Sequence, residues 1–294
     1  MKVWRATTFP WWEVVAMRKL LSANISRLLK SKVFWGLEAA STMFSAIAYV
    51  LVGVNVNNIG ENWILEKANL YFFIILLYVC VLTAIFSCLF FGTEYSDGTL
   101  RNKLVVGHSR KAAYFSNWII NAGVTVIFMM THYLMAVIIG IPAGGMAVIT
   151  AVERPLRRIV CSLILVFACT AIFTMTTMLD SNKARGAIVN TLLALALMIV
   201  GFMIFSALET PEFKYQMVLQ QDGSYLMEDG IPNPRYVSGG LRTIYTVLEA
   251  VMPTAFAMRI VTDTFFWYHV MGSLLVTVLF SVVGVYLFKK KDIR

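Results

Sequence analysis

Three histidines, four cysteines and sixteen acidic residues are what this sequence offers for chemistry, and none of them falls into a catalytic pattern. His108, His132 and His269 are scattered and form no H-E-x-x-H pair. Gly107-His108-Ser109 lacks the closing glycine of a G-x-S-x-G elbow. No G-x-x-x-x-G-K-[ST] run is present, so this chain carries no P-loop for ATP. Cys80, Cys88, Cys161 and Cys169 all lie in apolar runs without metal-ligand spacing and read as small buried packing residues. The expectation is a chain with no catalytic residues, no metal and no cofactor. Two polar constellations remain. One is the segment Gly92 to Asn117, which holds Glu94, Gly98, Thr99, Leu100, Arg101, Leu104, Gly107 and Arg110. The other is the stripe Asn117, Asn121, Thr125 and His132, which shares one arc of a helix.

The elements that position these residues follow from hydropathy. The chain has 294 residues, 59% hydrophobic and 14% charged, where soluble chains average about 25% charged. Runs of about 20 apolar residues suffice to cross a bilayer. Six such runs are expected, at about 33–53, 70–91, 118–141, 159–179, 188–208 and 265–288. The fold class is therefore all-α and polytopic. Ala46-Ile47-Ala48 resembles a signal cleavage site, but the apolar run continues past it, and the first span reads as an uncleaved anchor. Residues 1–32 form a tail and an amphipathic helix. Val14, Met17, Leu21, Ile25 and Leu28 lie on one face of that helix, opposite Lys19, Arg27 and Lys30, as in a helix lying in the membrane interface. Residues 209–264 form the longest loop. Within it, Leu241 to Met252 is too short to cross and reads as a re-entrant or interfacial helix stopped by Pro253.

With both ends and 92–117 on the cytoplasmic side, seventeen of the 25 Lys and Arg lie inside and 289–294 forms a basic tail. The net charge of +9 is then topogenic, and no nucleic-acid partner is expected. Arg154, Arg157 and Arg158 fall on the outer side against the rule, for which outer headgroups are the only available account. Glu38 is the one acidic residue placed within a span. The stripe from Asn117 to His132 must face other helices or a pathway, because polar groups are costly in lipid.

Between the second and third spans, Asp97-Gly98 reads as a turn, Leu100 to Val106 as a short helix stopped by Gly107, and Ser109 as the cap of a new helix. Leu100 and Leu104, four apart, form an apolar face. The pattern Glu94-Tyr95-x-x-Gly98-Thr99-Leu100-Arg101, then Leu104, Gly107, Ser109-Arg110 and Tyr114, resembles the corresponding loop of type-2 ABC transporter permeases. So does Pro232-Asn233-Pro234-x-Tyr236-Val237-Ser238-Gly239, with Arg242, Tyr245 and Met252-Pro253, before the last span. The resemblance implies a permease subunit of a bacterial cell-membrane exporter of a peptide, antibiotic or other amphipathic compound. It implies a cytoplasmic ABC ATPase that docks on 92–117, and a second permease half. In that picture Leu100 and Leu104 would enter a groove on the ATPase, flanked by Arg101 and Arg110. The competing reading is a non-transporting membrane anchor or sensor that recruits a soluble partner through the same loop.

Overall fold

The computed structural model describes residues 11–59, 73–140, 142, 153–214, 217–219, 225–227, 230–264 and 266–292. The expected N-terminal tail 1–10, the loop residues 60–69, the first residues of the second span (70–72), most of the loop after the third span (143–152) and the last two residues lie outside it. The chain is nearly all-α and polytopic. Helix α1 (Trp11–Leu29) precedes α2 (Lys32–Ile59), α3 (Ile75–Ser96), the short α4 (Thr99–Val105) and α5 (Arg110–Met135), which ends in a π turn, Ala136–Gly140. Then follow α6 (Glu153–Leu179), α7 (Lys183–Glu209), α8 (Gly239–Val251), α9 (Pro253–Thr262) and α10 (Trp267–Lys290). Among the described residues, six helices are long and apolar enough to cross a membrane: α2, α3, α5, α6, α7 and α10.

Helices outrun the apolar runs that mark them, because a helix continues until its end groups are capped. Helix α3 goes on to Ser96, past the apolar run that ends at Phe91, and α5 starts at Arg110, where the expected Ser109 cap puts it, ahead of the apolar run from Trp118. The Ser109 side chain accepts from the Ala112 amide at 3.1 Å. The Asn182 side chain likewise starts α7, accepting from Ala184 and Arg185 at 3.0 Å each.

Spans α3 and α6 are the most enclosed, and α2, α7 and α10 form the periphery. The main core joins Val79, Leu165, Val166, Phe173, Phe256 and Ile260 across α3, α6 and α9. Cys80 and Cys169 are not separate packing residues as expected: they form a disulfide between α3 and α6, with Cα atoms 5.8 Å apart. The small-residue face of α10 lets it approach closely. A Cβ on Gly284 would lie 2.1 Å from the Tyr114 hydroxyl, and one on Gly272 would lie 1.9 Å from the Ala250 carbonyl oxygen.

Helices α8 and α9 meet at 90° across Met252-Pro253, as the proline required. Before them lie two short hairpin pieces absent from the sequence expectation. They are β1 (Phe213–Lys214) paired with β4 (Ile231–Pro232), and β2 (Met217–Leu219) paired with β3 (Tyr225–Met227). Asn233 pins this loop by donating to the Pro211 carbonyl at 3.0 Å, and Arg242 donates to the Leu208 carbonyl at the end of α7.

Two features at this end add to the sequence reading. Glu249 lies in the short helix expected over Leu241–Met252, but it is buried there between Arg259 (2.8 Å) and His269 (3.3 Å), with Arg259 also paired to Glu209, which the sequence does not reveal. Arg157 and Arg158 also have partners within the protein. Arg157 pairs with Asp263 at 2.9 Å, and buried Arg158 donates to the Ile260 carbonyl at 2.8 Å while lying over the Phe73 ring. Both sit at the C-terminus of α9, where unpaired carbonyls favour a cation. The Arg154 side chain lies outside the described residues.

Candidate functional site

At the other end, α4 is suspended beneath the bundle by its two neighbours. Gly98 takes a left-handed φ of 65° at its start, and Gly107 takes φ 100° after its end. Both are conformations that L side chains resist. The helix is thereby set across the ends of α3 and α5.

Its inner face is held by packing. Leu100 is only 1% exposed and lies in a cluster with Ala113, Tyr114, Met178 and Phe288, from the start of α5 and the ends of α6 and α10. The expectation that Leu100 projects toward a partner is therefore corrected. Leu104 is half-buried, so the pair forms no outward apolar face. The register of a seven-residue helix turns Leu100 into the bundle and leaves Arg101, Asn102, Val105 and Val106 outward. Val105 and Val106, 77% and 79% exposed, are the apolar pair presented at this end.

The same helix is also held by a buried polar hub. Glu94, in the last turn of α3, is 1% exposed. Its Oε1 meets Lys103 Nζ and Arg27 Nη1, each at 2.7 Å, and its Oε2 accepts from Asn117 Nδ2 at 3.1 Å. Lys103 also donates to Asn24 Oδ1 at 3.0 Å. Asn24 in turn donates to Ser116 Oγ at 2.9 Å and to Asn117 Oδ1 at 3.0 Å. Arg27 lies over the Phe90 ring at 4.1 Å. One carboxylate thus links α1, α3, α4 and α5. Burial pushes the Lys103 ammonium below the usual lysine range, and the Glu94 carboxylate pulls it back up.

The hub also rotates α1. Leu20, Asn24 and Leu28 are its buried line, Arg27 turns inward, and Ile25 is left largely exposed. Of the expected apolar face, Leu28 is buried in the bundle, Met17 and Leu21 are half-buried and Ile25 is exposed, whereas Arg27, expected on the polar face, is drawn in by the carboxylate. Arg110 differs from expectation as well. Its guanidinium donates to the Phe288 carbonyl at 3.0 Å and to that of Lys291, which closes the C-terminus of α10 rather than flanking a partner groove. Thr99 donates weakly to the Glu94 carbonyl at 3.4 Å, within the turn.

The second constellation is hydrogen-bonded between helices. Asn121 donates to Ser87 and Thr174 at 2.8 and 2.9 Å, and Thr125 meets Thr83 at 3.1 Å. His132 is hydrogen-bonded to Ser45 at 2.7 Å and to Tyr49 at 2.9 Å. All are buried, so the stripe stitches α5 to α2, α3 and α6. Asn117 alone belongs to the hub. Glu38, half-buried, accepts from Thr131 of α5.

The short helix slung between two spans is thus tied into the bundle along its inner side. A family model of ABC-2 family transporter proteins matches residues 20–201. The chain belongs to the ABC-2 transporter family. No curated protein sequence matches it at a significant level. It is accordingly a multi-pass membrane permease subunit of an ABC transporter. The match covers α4 and the whole hub and ends within α7, so the second motif of this ABC-2 permease, around Asn233 and Arg242, lies beyond it.

Sequence reasoning reached Glu94, Gly98 and Asn117 but missed Asn24, Arg27 and Lys103. One signal was available: a carboxylate at the end of an apolar run must find cations. Nothing in the spacing says which ones.

Proposed function

We propose that this permease is the membrane half of an exporter driven by a separate cytoplasmic ABC ATPase, and that the ATPase docks on α4 through Val105 and Val106. The observation that supports the reading is the contrast within α4: Leu100 and Lys103 are bound into the bundle while Val105 and Val106 stand free of it. A displacement applied at the valines cannot move α4 alone. Through Leu100 it reaches the ends of α5, α6 and α10, and through Lys103 and Glu94 it reaches α1 and α3.

The orientation proposed is cytoplasmic for the α4 end. The contacts of Arg27 with Glu94 and of Arg110 with Phe288 bring α1 and the end of α10 to that same end. The excess of Lys and Arg in these segments favours the inside. With six spans in one chain, a second copy or a sister permease would complete the transporter in a bacterial cell membrane. The cargo proposed is a peptide, antibiotic or other amphipathic compound. The test is purification in mild detergent followed by reconstitution. A P-loop ATPase should accompany the chain, and the pair should move cargo across vesicles only with ATP. An ATPase-free chain that recruits some other soluble protein would replace export with the anchor reading.

A further inference from the structure

Helix α1 uses only part of its surface against α5. Beside that contact lies a groove of about 760 Å³ lined by Met17, Leu21, Ile25 and Phe115 on its apolar walls and by Arg18 and Lys111 at its rim. The hydroxyl-bearing residues Ser22, Ser26 and Ser109 also line it. Arg18 and Lys111 are exposed, and among the described residues neither has an acidic partner. The N-terminus of α5 opens at the same rim, adding the positive end of its helix dipole. The groove also lies at a definite depth, because α5 begins at Arg110 and enters its apolar run only at Trp118. In a bilayer crossed by these spans, that position corresponds to the level where headgroups meet acyl chains.

We propose that this groove binds one anionic phospholipid. Its phosphate is held between Arg18 and Lys111, with the serine hydroxyls as further donors, and an acyl chain lies along Met17, Leu21, Ile25 and Phe115. Apolar walls alone would accept any lipid. The two cations and the dipole at one rim select negative charge, as basic pockets beside membrane helices do. The far side of α1 carries Asn24 and Arg27, so the same helix joins the lipid to the Glu94 hub. The inference rests on the groove and not on the transport reading. Lipid retained by a chain that captures no ATPase would leave it standing.

The test is native mass spectrometry of the full chain. The detergent-purified protein is offered phosphatidylglycerol and phosphatidylcholine with identical acyl chains. The wild type should keep one phosphatidylglycerol per chain in preference to phosphatidylcholine. Arg18→Gln and Lys111→Gln should each weaken that retention about fivefold. Lys19→Gln, outside the groove, should leave it unchanged. Ser22→Trp, which fills the groove, should abolish retention of both lipids. The changed side chains are all exposed, and a monodisperse elution profile confirms that each variant is folded. Equal retention of the two lipids would overturn the proposal. So would loss of retention in Lys19→Gln equal to that in the rim variants, or a groove closed by a second copy, seen as dimers that Ser22→Trp splits without any lipid bound.

Discussion

The carboxylate of Glu94 in the last turn of α3 and the ammonium of Lys103 in α4 lie 2.7 Å apart, closing a buried ion pair over the turn that separates them. Removing one partner of such a pair costs about 3 kcal/mol, since the other is left charged and desolvated. Glu94→Gln should therefore loosen α4 without unfolding the spans. Hydrogen exchange should speed up at the amides of Thr99–Val105 and stay unchanged in α3 and α6.

Leu100 and Gly98 hold the same helix by different means. Leu100→Ala opens a cavity among Ala113, Tyr114, Met178 and Phe288 and should cost about 2–4 kcal/mol of local docking energy. At Gly98 a Cβ would meet nothing within 4 Å, so the cost of a side chain there is purely that of a positive φ. Gly98→Ala should cost about 1 kcal/mol, and Gly98→Val more, because a β-branched residue resists that region harder. Protease nicking between residues 96 and 109 would rank the three variants.

At the opposite end, Glu249 holds α8 to α9 and α10 through Arg259 and His269. Glu249→Ala removes the buried carboxylate between Arg259 and His269 and leaves Arg259 only its half-exposed partner Glu209, which should destabilise the bent pair by about 3 kcal/mol. Thermal unfolding in detergent should show a lowered midpoint. An unchanged midpoint would mean that the cluster is solvated in solution.

Lys291 offers a pH test. Burial pushes its ammonium down to about 8, with Asp180 opposing, while it donates to the Met178 carbonyl at 3.1 Å. An unfolded lysine titrates near 10.4. Between about pH 8 and that value the unfolded chain holds more protons than the folded one, so this residue's contribution to stability rises with pH through the window. Below pH 8 it is charged in both states and its contribution no longer changes with pH. Lys291→Met removes the effect. The unfolding midpoint of the wild type, compared with that of the variant at pH 7 and again at pH 9.5, should shift in favour of the wild type at the higher pH.

How much of this was legible in the sequence depended on the range of the interaction. The six spans, the Gly98 turn, the Ser109 cap and the Pro253 break are local and were readable from composition and single residues. The direction of Leu100 was not. Its neighbours Tyr114, Met178 and Phe288 come from three other helices, and a four-residue spacing gives a face without saying what covers it. The same holds for Arg27, which looked like the solvent side of an amphipathic helix until Glu94 claimed it. The partners of Glu249, Arg157 and Arg158 were not legible either, because each meets groups from helices distant in the chain.

The central claim is that Val105 and Val106, rather than Leu100 and Leu104, are what the ATPase grips. It is tested most directly by replacing both valines with aspartate and measuring how much P-loop ATPase co-purifies from native membranes. Both side chains are more than three-quarters exposed, so the variant should insert, fold and elute as the wild type does. The account predicts that ATPase recovery and ATP-driven transport fall together, at least tenfold, with expression unchanged. Full ATPase recovery with the double aspartate variant would contradict it and leave α4 as a structural brace at the end of the bundle.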